Sequence, residues 1–307
     1  MKHSFTVSSD QADRRFDRVL RGLYPEVPLG AIMRAIRKGE ARIDGRKTGL
    51  DHRLYQGEVV SVPWPLGPEG ESHDRVPTDE TPRGKLPVLF RSRDLLCVDK
   101  PAGLLSQPDR ANGDSLITRV WRELSWSRND FRPATISRLD RNVSGVVAVA
   151  LNAPVLRLLS SLMREGAIRK KYVAIVSGDP PDEGEIDLPL LKDGGRNIVA
   201  VDRSGQASRT RYRTLRRYDG RSLVELELIT GRPHQARVHL AAIGHPILGD
   251  AKYGKGGERG WKSRLFLHAI SLSFPNSADL PDDLGCTIID TPLPQEFTNF
   301  SGVQALV

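Results

Sequence analysis

Residues 134–151 read ATISRLDRNVSGVVAVAL, and this stretch organises the rest of the chain. Asp140 stands between Arg138 and Arg141, and a Ser144-Gly145 pair precedes an unbroken apolar run from Val146 to Leu151. A short apolar run bounded by turn residues predicts a strand buried on both faces. Asp140 is therefore placed in a loop at the mouth of a rigid strand, where functional residues gather. Burial there would favour the neutral acid, and a guanidinium close by would oppose that and keep it ionised. An ionised, partly desolvated carboxylate can act as a nucleophile or a base. The same residues also make a structural Arg–Asp pair that stabilises a loop, and the stretch alone favours that structural reading.

Outward from this strand, Asn152 is placed to cap a helix running from Ala153 to about Arg164, with Leu156, Leu159 and Met163 on one face. Upstream, PVLFRSRDLLCVDKPAG (87–103) predicts two short strands turning at Arg93-Asp94. Downstream, KKYVAIVSG (170–178) is a strand, and residues 207–231 are two strands joined at Asp219-Gly220. A helix can begin after Pro233, and strand character returns at RLFLHAISLSF (264–274). Segregated strands with few crossover helices predict an α+β fold with a mainly antiparallel mixed β-sheet and flanking helices over residues 88–307.

Residues 1–62 have a different texture. Phe16, Val19, Leu20 and Leu23 form one helical stripe, and a second helix fits Leu29–Lys38 with Leu29, Ile32 and Ile36 inward and Gly39 as its stop. Strand, Asp-Gly turn and strand follow in ARIDGRKT, and GEVVSVP closes the unit. Twelve basic and eight acidic residues give this segment +4, half of the chain's +8 in a fifth of its 307 residues. Arg34, Arg37 and Lys38 lie off the apolar stripe, as a phosphate-binding face or an ordinary solvated surface would. Residues 63–87 carry six prolines and no hydrophobic period, which predicts a linker that gives the basic unit some reach.

Composition narrows the function classes. Hydrophobic content of 38% and charged content of 27% suit a soluble globular protein, and the positive charge favours anionic partners such as nucleic acid. Cys97 and Cys286 are too few for a disulfide framework and lack metal-ligand spacing; Cys97 reads as a core residue. The start MKHSFTVSSD has no signal-peptide core, and no stretch approaches the roughly 18 apolar residues of a membrane span. A cytoplasmic protein is expected.

Three further clusters can carry chemistry. In ITGRPHQARVHLAAIGHPILGD (229–250), His234, His239 and His245 miss the spacing of helical zinc ligands, so no metal site is expected. Arg237 falls in the first turns of a helix starting near Pro233, where its fork can reach a carboxylate or phosphate, or simply stabilise a loop. Tyr172 follows three basic residues at a strand start and can stack on a base, or can be a core tyrosine. RSGQASRTRYRTLRR (203–217) holds six arginines and no acid; Arg209, Arg211 and Arg213 alternate, share one strand face, and make a candidate nucleic-acid surface. No phosphate-binding loop, dinucleotide fingerprint, Gly-x-Ser-x-Gly elbow or cysteine knuckle is present, so an enzyme here is expected to need no cofactor.

Taken in order, VDKPAGLLSQPD, SRLDRNVSG, KKYVAIVSG, TGRPHQARVHLAAIGHPILGDAKYG and LFLHAISLSF resemble the RluA-type pseudouridine synthases over about residues 88–300. RRFDRVL, IMRAIRKGEARIDGRK and GEVV resemble an S4 RNA-binding domain. The resemblance implies an isomerase that breaks the N1–C1′ bond of a uridine in RNA and rejoins the base through C5. It implies that Asp140 is the catalytic aspartate, Tyr172 the tyrosine stacked on the base, and Arg237 the basic partner of the acid. Arg138, Arg141, Arg232, His234, Gln235, Arg34, Arg37, Lys38, Arg209 and Arg211 are then expected to contact RNA, with ribosomal RNA the first substrate class and tRNA the second. A monomer is expected. The chain departs from the family's pattern at Ser137, where histidine is usual, and at Val143, where threonine is.

Overall fold

A computed structural model describes residues 3–65, 84–109, 113–126, 131–254, 264–276, 280, 284 and 287–301. Cys286 and most of the expected linker, residues 66–83, lie outside the described residues.

The chain begins with β1 (His3–Thr6), α1 (Phe16–Leu23), α2 (Leu29–Lys38), β2 (Arg42–Ile43) and β3 (Val59–Val62). These form a three-stranded antiparallel sheet in the order β1-β3-β2. Both expected helices form at their expected bounds, and Gly39 stops α2 with a left-handed φ of 73°. Phe16, Val19, Leu20, Ile32, Ile36 and Val60 make a core of their own. Two expectations fail here. Leu29 is 40% exposed rather than inward, because it is the first residue of α2 and projects beyond the helix pairing. The second arm of the Asp44-Gly45 hairpin is a single bridge from Arg46 to Ile43 rather than a strand.

The rest builds a second core on one large sheet. Its elements are β4 (Val88–Arg91), β5 (Leu95–Lys100), α3 (Leu116–Glu123), β6 (Ala134–Thr135), β7 (Ser144–Ala150), α4 (Ala153–Arg164), β8 (Arg169–Ser177), β9 (Glu183–Asp187), β10 (Leu190–Asp193), β11 (Ile198–Val201), β12 (Arg209–Tyr218), β13 (Arg221–Leu228), α5 (Gln235–Ala242), β14 (Leu267–Ser273), β15 (Ile288–Asp290) and α6 (Gln295–Ser301). The strand order in the large sheet is β4-β5-β7-β14-β8-β13-β12-β9, with β15 on β14 and β6 on β7, while β10 and β11 pair with each other as a separate two-stranded sheet. Among the described residues every pairing is antiparallel except β7 with β14. The expected mixed, mainly antiparallel sheet with few helices is what forms.

All seven residues of β7 are buried, as the apolar run requires. Leu116, Val120 and Trp121 of α3, Leu159 of α4, Leu240 of α5 and Phe297 of α6 close the core over the sheet. Asn152 caps α4 by accepting from the Val155 amide at 2.9 Å, and Ser115 with Thr118 forms a capping box on α3. Cys97 is buried in β5, where burial pushes its thiol up to about 12.

Trp64 packs against Tyr24 in the first core, and Leu86 lies in the second. The first unit also touches the second: Asp10 Oδ1 accepts from the Ala153 amide at 2.8 Å, and Arg157 donates to the carbonyls of Ala12 and Ser9. The N-terminus of α4, capped by Asn152, thereby also receives an acid from the first unit.

Candidate active site

The Asp140 loop is held from below by the segment following β5. Lys100 is fully buried, and its Nζ donates to the carbonyls of Pro101, Leu104 and Arg141 at 3.0, 2.7 and 3.1 Å. Burial, opposed by the charges of Asp140 and Asp99, brings its ammonium down to about 7. Ser106 grips Leu139 twice, accepting from its amide at 3.0 Å and donating to its carbonyl at 2.8 Å. Gly103 and Arg141 exchange two more bonds, Gly103 N to Arg141 O at 2.8 Å and Arg141 Nε to Gly103 O at 3.0 Å. Backbone groups on both sides of Asp140 are thus fixed, while its side chain stays 30% exposed and open to a ligand.

Arg237, on the first turn of α5, closes the site from the other side. Its Nη1 donates to Asp140 Oδ2 at 2.8 Å, while Nε and Nη2 donate to Asp250 at 2.8 Å each. Burial would weaken the arginine's charge, but bonds to Asp250 and then Asp140 more than offset it and hold the guanidinium charged. His234 caps α5 in a left-handed conformation, φ 54°, unusual for a non-glycine residue. Its Nδ1 lies 2.7 Å from the Tyr253 hydroxyl and its Nε2 3.8 Å from Asp140 Oδ2. Burial lowers its imidazole more than Asp140 raises it, so it is neutral near pH 7. Tyr253 packs against both, with Arg237 Cζ 5.1 Å from its ring centroid, and its hydroxyl accepts from the Val199 amide.

Tyr172 reaches the same place through strand register. In the parallel pair Gly145 faces Ala269, and Ala269 faces Tyr172 across the antiparallel neighbour. One row therefore runs from the start of β7 through β14 to β8, spanning two strand spacings, about 10 Å. Gly145 is required for it: its φ is 118°, and a Cβ there would sit 2.2 Å from the Ala269 carbonyl oxygen. Burial first, then the negative charge of Asp140, push the Tyr172 phenol up, so it is protonated at neutral pH.

The remaining sequence-derived residues divide. Arg138, Arg141, Arg34, Arg37 and Lys38 are exposed, the last three on α2 off its buried face. Arg232 is half-buried and donates to the Ala207 carbonyl. Gln235 is buried: its amide ties Thr230 and the Arg232 amide to the Arg209 carbonyl and Thr210, so it is a structural staple rather than an RNA contact. The arginine row is also corrected. Arg209 pairs with Glu185 and Asp187, Arg211 with Glu185, and Arg213 with Glu225. The window 203–217 holds no acid, but β9 and β13 on either side supply them, so the row is largely neutralised.

Sequence reasoning assigned no role to Lys100, Ser106, Asp250 or Tyr253, although all four lie in segments that carry the resemblance. A lysine flanked by Asp99 and Pro101 reads as surface, and only its burial reveals the brace. Among the described residues, no three His, Cys, Asp or Glu side chains are grouped to hold a metal ion. No helix among them is long and apolar enough to cross a membrane.

Comparison with known proteins places this geometry. The model of the RNA pseudouridylate synthase family matches residues 94–242, from the turn before β5 to the end of α5. The chain is similar to the ribosomal large subunit pseudouridine synthase C of Pasteurella multocida strain Pm70, 33% identical over 97% of this chain and 92% of that protein. It is similar also to the protein of that name from Salmonella typhi, 33% identical over 89% of each. Among solved structures, human RNA pseudouridylate synthase domain containing 4 matches with TM-score 0.57 and 25% identity, over 69% of this chain and 90% of the other. Human RNA pseudouridylate synthase domain containing 1 matches with TM-score 0.56 and 27% identity, over 68% and 84%. With a third of its residues identical to such a synthase over nearly its whole length, and with an acid, an arginine and a tyrosine gathered at one strand mouth, the chain belongs to the RNA pseudouridylate synthase family of isomerases.

Proposed function

We propose that this isomerase converts uridines of large-subunit ribosomal RNA to pseudouridine, with Asp140 as the reacting carboxylate. The carrying observation is the bond from Arg237 Nη1 to Asp140 Oδ2, which joins segments 97 residues apart and leaves the acid partly open to a ligand. The reaction breaks N1–C1′, forms C5–C1′ and transfers, in net, one proton from C5 to N1. It consumes neither oxidant nor water, so a carboxylate that attacks C1′ or removes a ribose proton is sufficient chemistry. A uridine inside a helix cannot reach such a cleft, so the target base is unpaired or turned out. Tyr172, a neutral phenol, stacks on that base, and Arg237 orients Asp140 through its Nη1 bond to Oδ2. His234 lines the cleft beside the acid, while Arg138, Arg141 and Arg232 reach backbone phosphates around it.

Residues 1–62 act in this reading as an S4-like RNA-binding domain ahead of a catalytic domain over 88–307. Two short helices, a turn and a small sheet with their own core support it, as do the exposed cations of α2. The enzyme works as a cytoplasmic monomer. Mapping pseudouridine across all RNAs in cells with and without the gene tests the substrate. Loss confined to large-subunit ribosomal RNA is the expected outcome; loss confined to tRNA would reassign the target.

A further inference from the structure

Three cations in a row open β8, and they divide between the two faces of the sheet. Arg169 and Lys171 share one face, where Glu227 and Glu225 of β13 pair with them at 3.9 and 3.4 Å. Lys170 points to the other face, which it shares with Tyr172, their Cα atoms about 6.6 Å apart along the strand. Its cross-strand neighbour on β14 is Leu272, not an acid. Lys170 is only 8% exposed, yet no hydrogen bond or ion pair holds its ammonium among the described residues. Lys100 shows how a buried lysine is ordinarily satisfied, with three carbonyls around its Nζ. Burial alone pulls the Lys170 ammonium below the ordinary lysine range, and no acid opposes it. A buried cation without a partner is costly, so it calls for a task. The turn against it is shaped to fit. A Cβ at Gly231 would sit 3.2 Å from Lys170 Nζ, and Gly231 has no left-handed φ that would itself require glycine. The missing side chain thus makes room for the ammonium beside the 230–232 turn, and Nζ there is not sealed from solvent.

We propose that Lys170 is a phosphate anchor: its ammonium, in the gap left by Gly231, takes the RNA phosphodiester beside the uridine whose base stacks on Tyr172. A turned-out nucleotide needs a hold on its base and another on its backbone, because either alone leaves C1′ free to swing away from the reacting acid. Tyr172 supplies the first hold, and Lys170, on the same strand face, supplies the second. A phosphodiester brings both the negative charge and the acceptor oxygens that the ammonium lacks. Lysine suits it as a compact point charge that needs no bidentate edge. Arg232, next in the turn and likewise without an ion pair among the described residues, extends this cationic edge outward.

The proposal rests on the reading of Asp140 as the acid that isomerises a turned-out uridine, and it is tested on the full chain. Wild type, Lys170→Met, Gly231→Ala and the double variant are compared on unmodified large-subunit ribosomal RNA transcribed in vitro, with thermal melts alongside. Methionine keeps the apolar stem and removes the charge. The kcat/KM of Lys170→Met for pseudouridine formation is expected to fall about 30-fold, the scale of one charge-assisted hydrogen bond lost. The slope of log(kcat/KM) against log salt is expected to shrink by about 0.7 to 0.9, the share of one phosphate. The melting temperature is expected to hold or rise, because a buried charge without a partner has been removed. Gly231→Ala keeps the lysine but crowds Nζ, and is expected to lose at least about fivefold in kcat/KM; adding it to Lys170→Met is expected to cost under about twofold more. A Lys170→Met protein with kcat/KM within about threefold of wild type, or with an unchanged salt slope, overturns the proposal, as do losses that multiply in the double variant. A lower melt with activity falling in step with folded protein also overturns it and makes Lys170 a structural brace. Wild type that forms no pseudouridine removes the reading and this proposal together, whereas an active wild type with an unimpaired Lys170→Met overturns this proposal alone.

Discussion

At the scale of single residues, Asp140 is specified from three directions: Lys100, Gly103 and Ser106 fix its backbone, Arg237 holds one oxygen, and His234 and Tyr172 border the opening. Lys100 is the least conventional of these, a fully buried ammonium whose three donors all end on loop carbonyls. Lys100→Met is expected to lower kcat about 10-fold with little change in KM, because the loop relaxes by a fraction of an ångström. It also predicts a pH dependence. The ammonium titrates near 7 when folded and near 10.5 when unfolded, so the unfolded chain holds more protons between those values. The stability of wild type relative to Lys100→Met therefore rises from pH 7 towards pH 10, by up to about 1.4 kcal/mol per pH unit. Urea unfolding of both proteins at pH 7.5 and 9.5 checks this, and a constant difference would contradict it. From sequence, Asp140 on its own reads more readily as a structural ion pair; the choice of Arg237 over its neighbours Arg138 and Arg141 depends on segments far along the chain. Lys100 and Asp250 were illegible because burial and long-range bonding are tertiary properties with no local periodicity.

At the scale of elements, the decisive feature is the close approach of β7 and β14. Gly145 permits the parallel pairing of these two strands and so sets the row that runs from the start of β7, just after Asp140, across β14 to Tyr172 on β8. Gly145→Ala is expected to destabilise the protein by at least about 2 kcal/mol, since both the positive φ and the carbonyl contact oppose a Cβ. Any folded fraction is expected to lose turnover as β14 and Tyr172 shift; a thermal melt and single-turnover assay check both, and an unchanged melt would contradict the account. Helices and strands with strong patterning were readable to within a residue or so, as α2, α4 and β7 illustrate. The arginine row was not, because cross-strand partners come from β9 and β13, and a window along one strand cannot show the acids beside it.

At the scale of the whole molecule, two large cores share one chain with a small third cluster at Leu190, Val199 and Val238, and the two large ones are joined through a contact in which Asp10 sits on the N-terminus of α4. The proposed division of labour makes RNA affinity and chemistry separable by substitution. Replacing Arg34, Arg37 and Lys38 with alanine is expected to weaken binding to ribosomal RNA and to reduce the slope of log K against log salt by about 1 for each phosphate no longer neutralised. The kcat on a saturating short stem-loop is expected to stay within about twofold of wild type, and a collapse there would contradict the division. The central claim is that Asp140 performs the isomerisation and that the rest of the site serves it. The most direct measurement incubates unmodified large-subunit ribosomal RNA with wild type and with Asp140→Asn, quantifying both bound RNA and pseudouridine. The account predicts equal binding, pseudouridine from wild type, and at least about a 1,000-fold lower rate from the variant, the scale of losing an essential catalytic group. Wild type that binds the RNA but forms no pseudouridine, or an Asp140→Asn variant that turns over within tenfold of wild type, would contradict it.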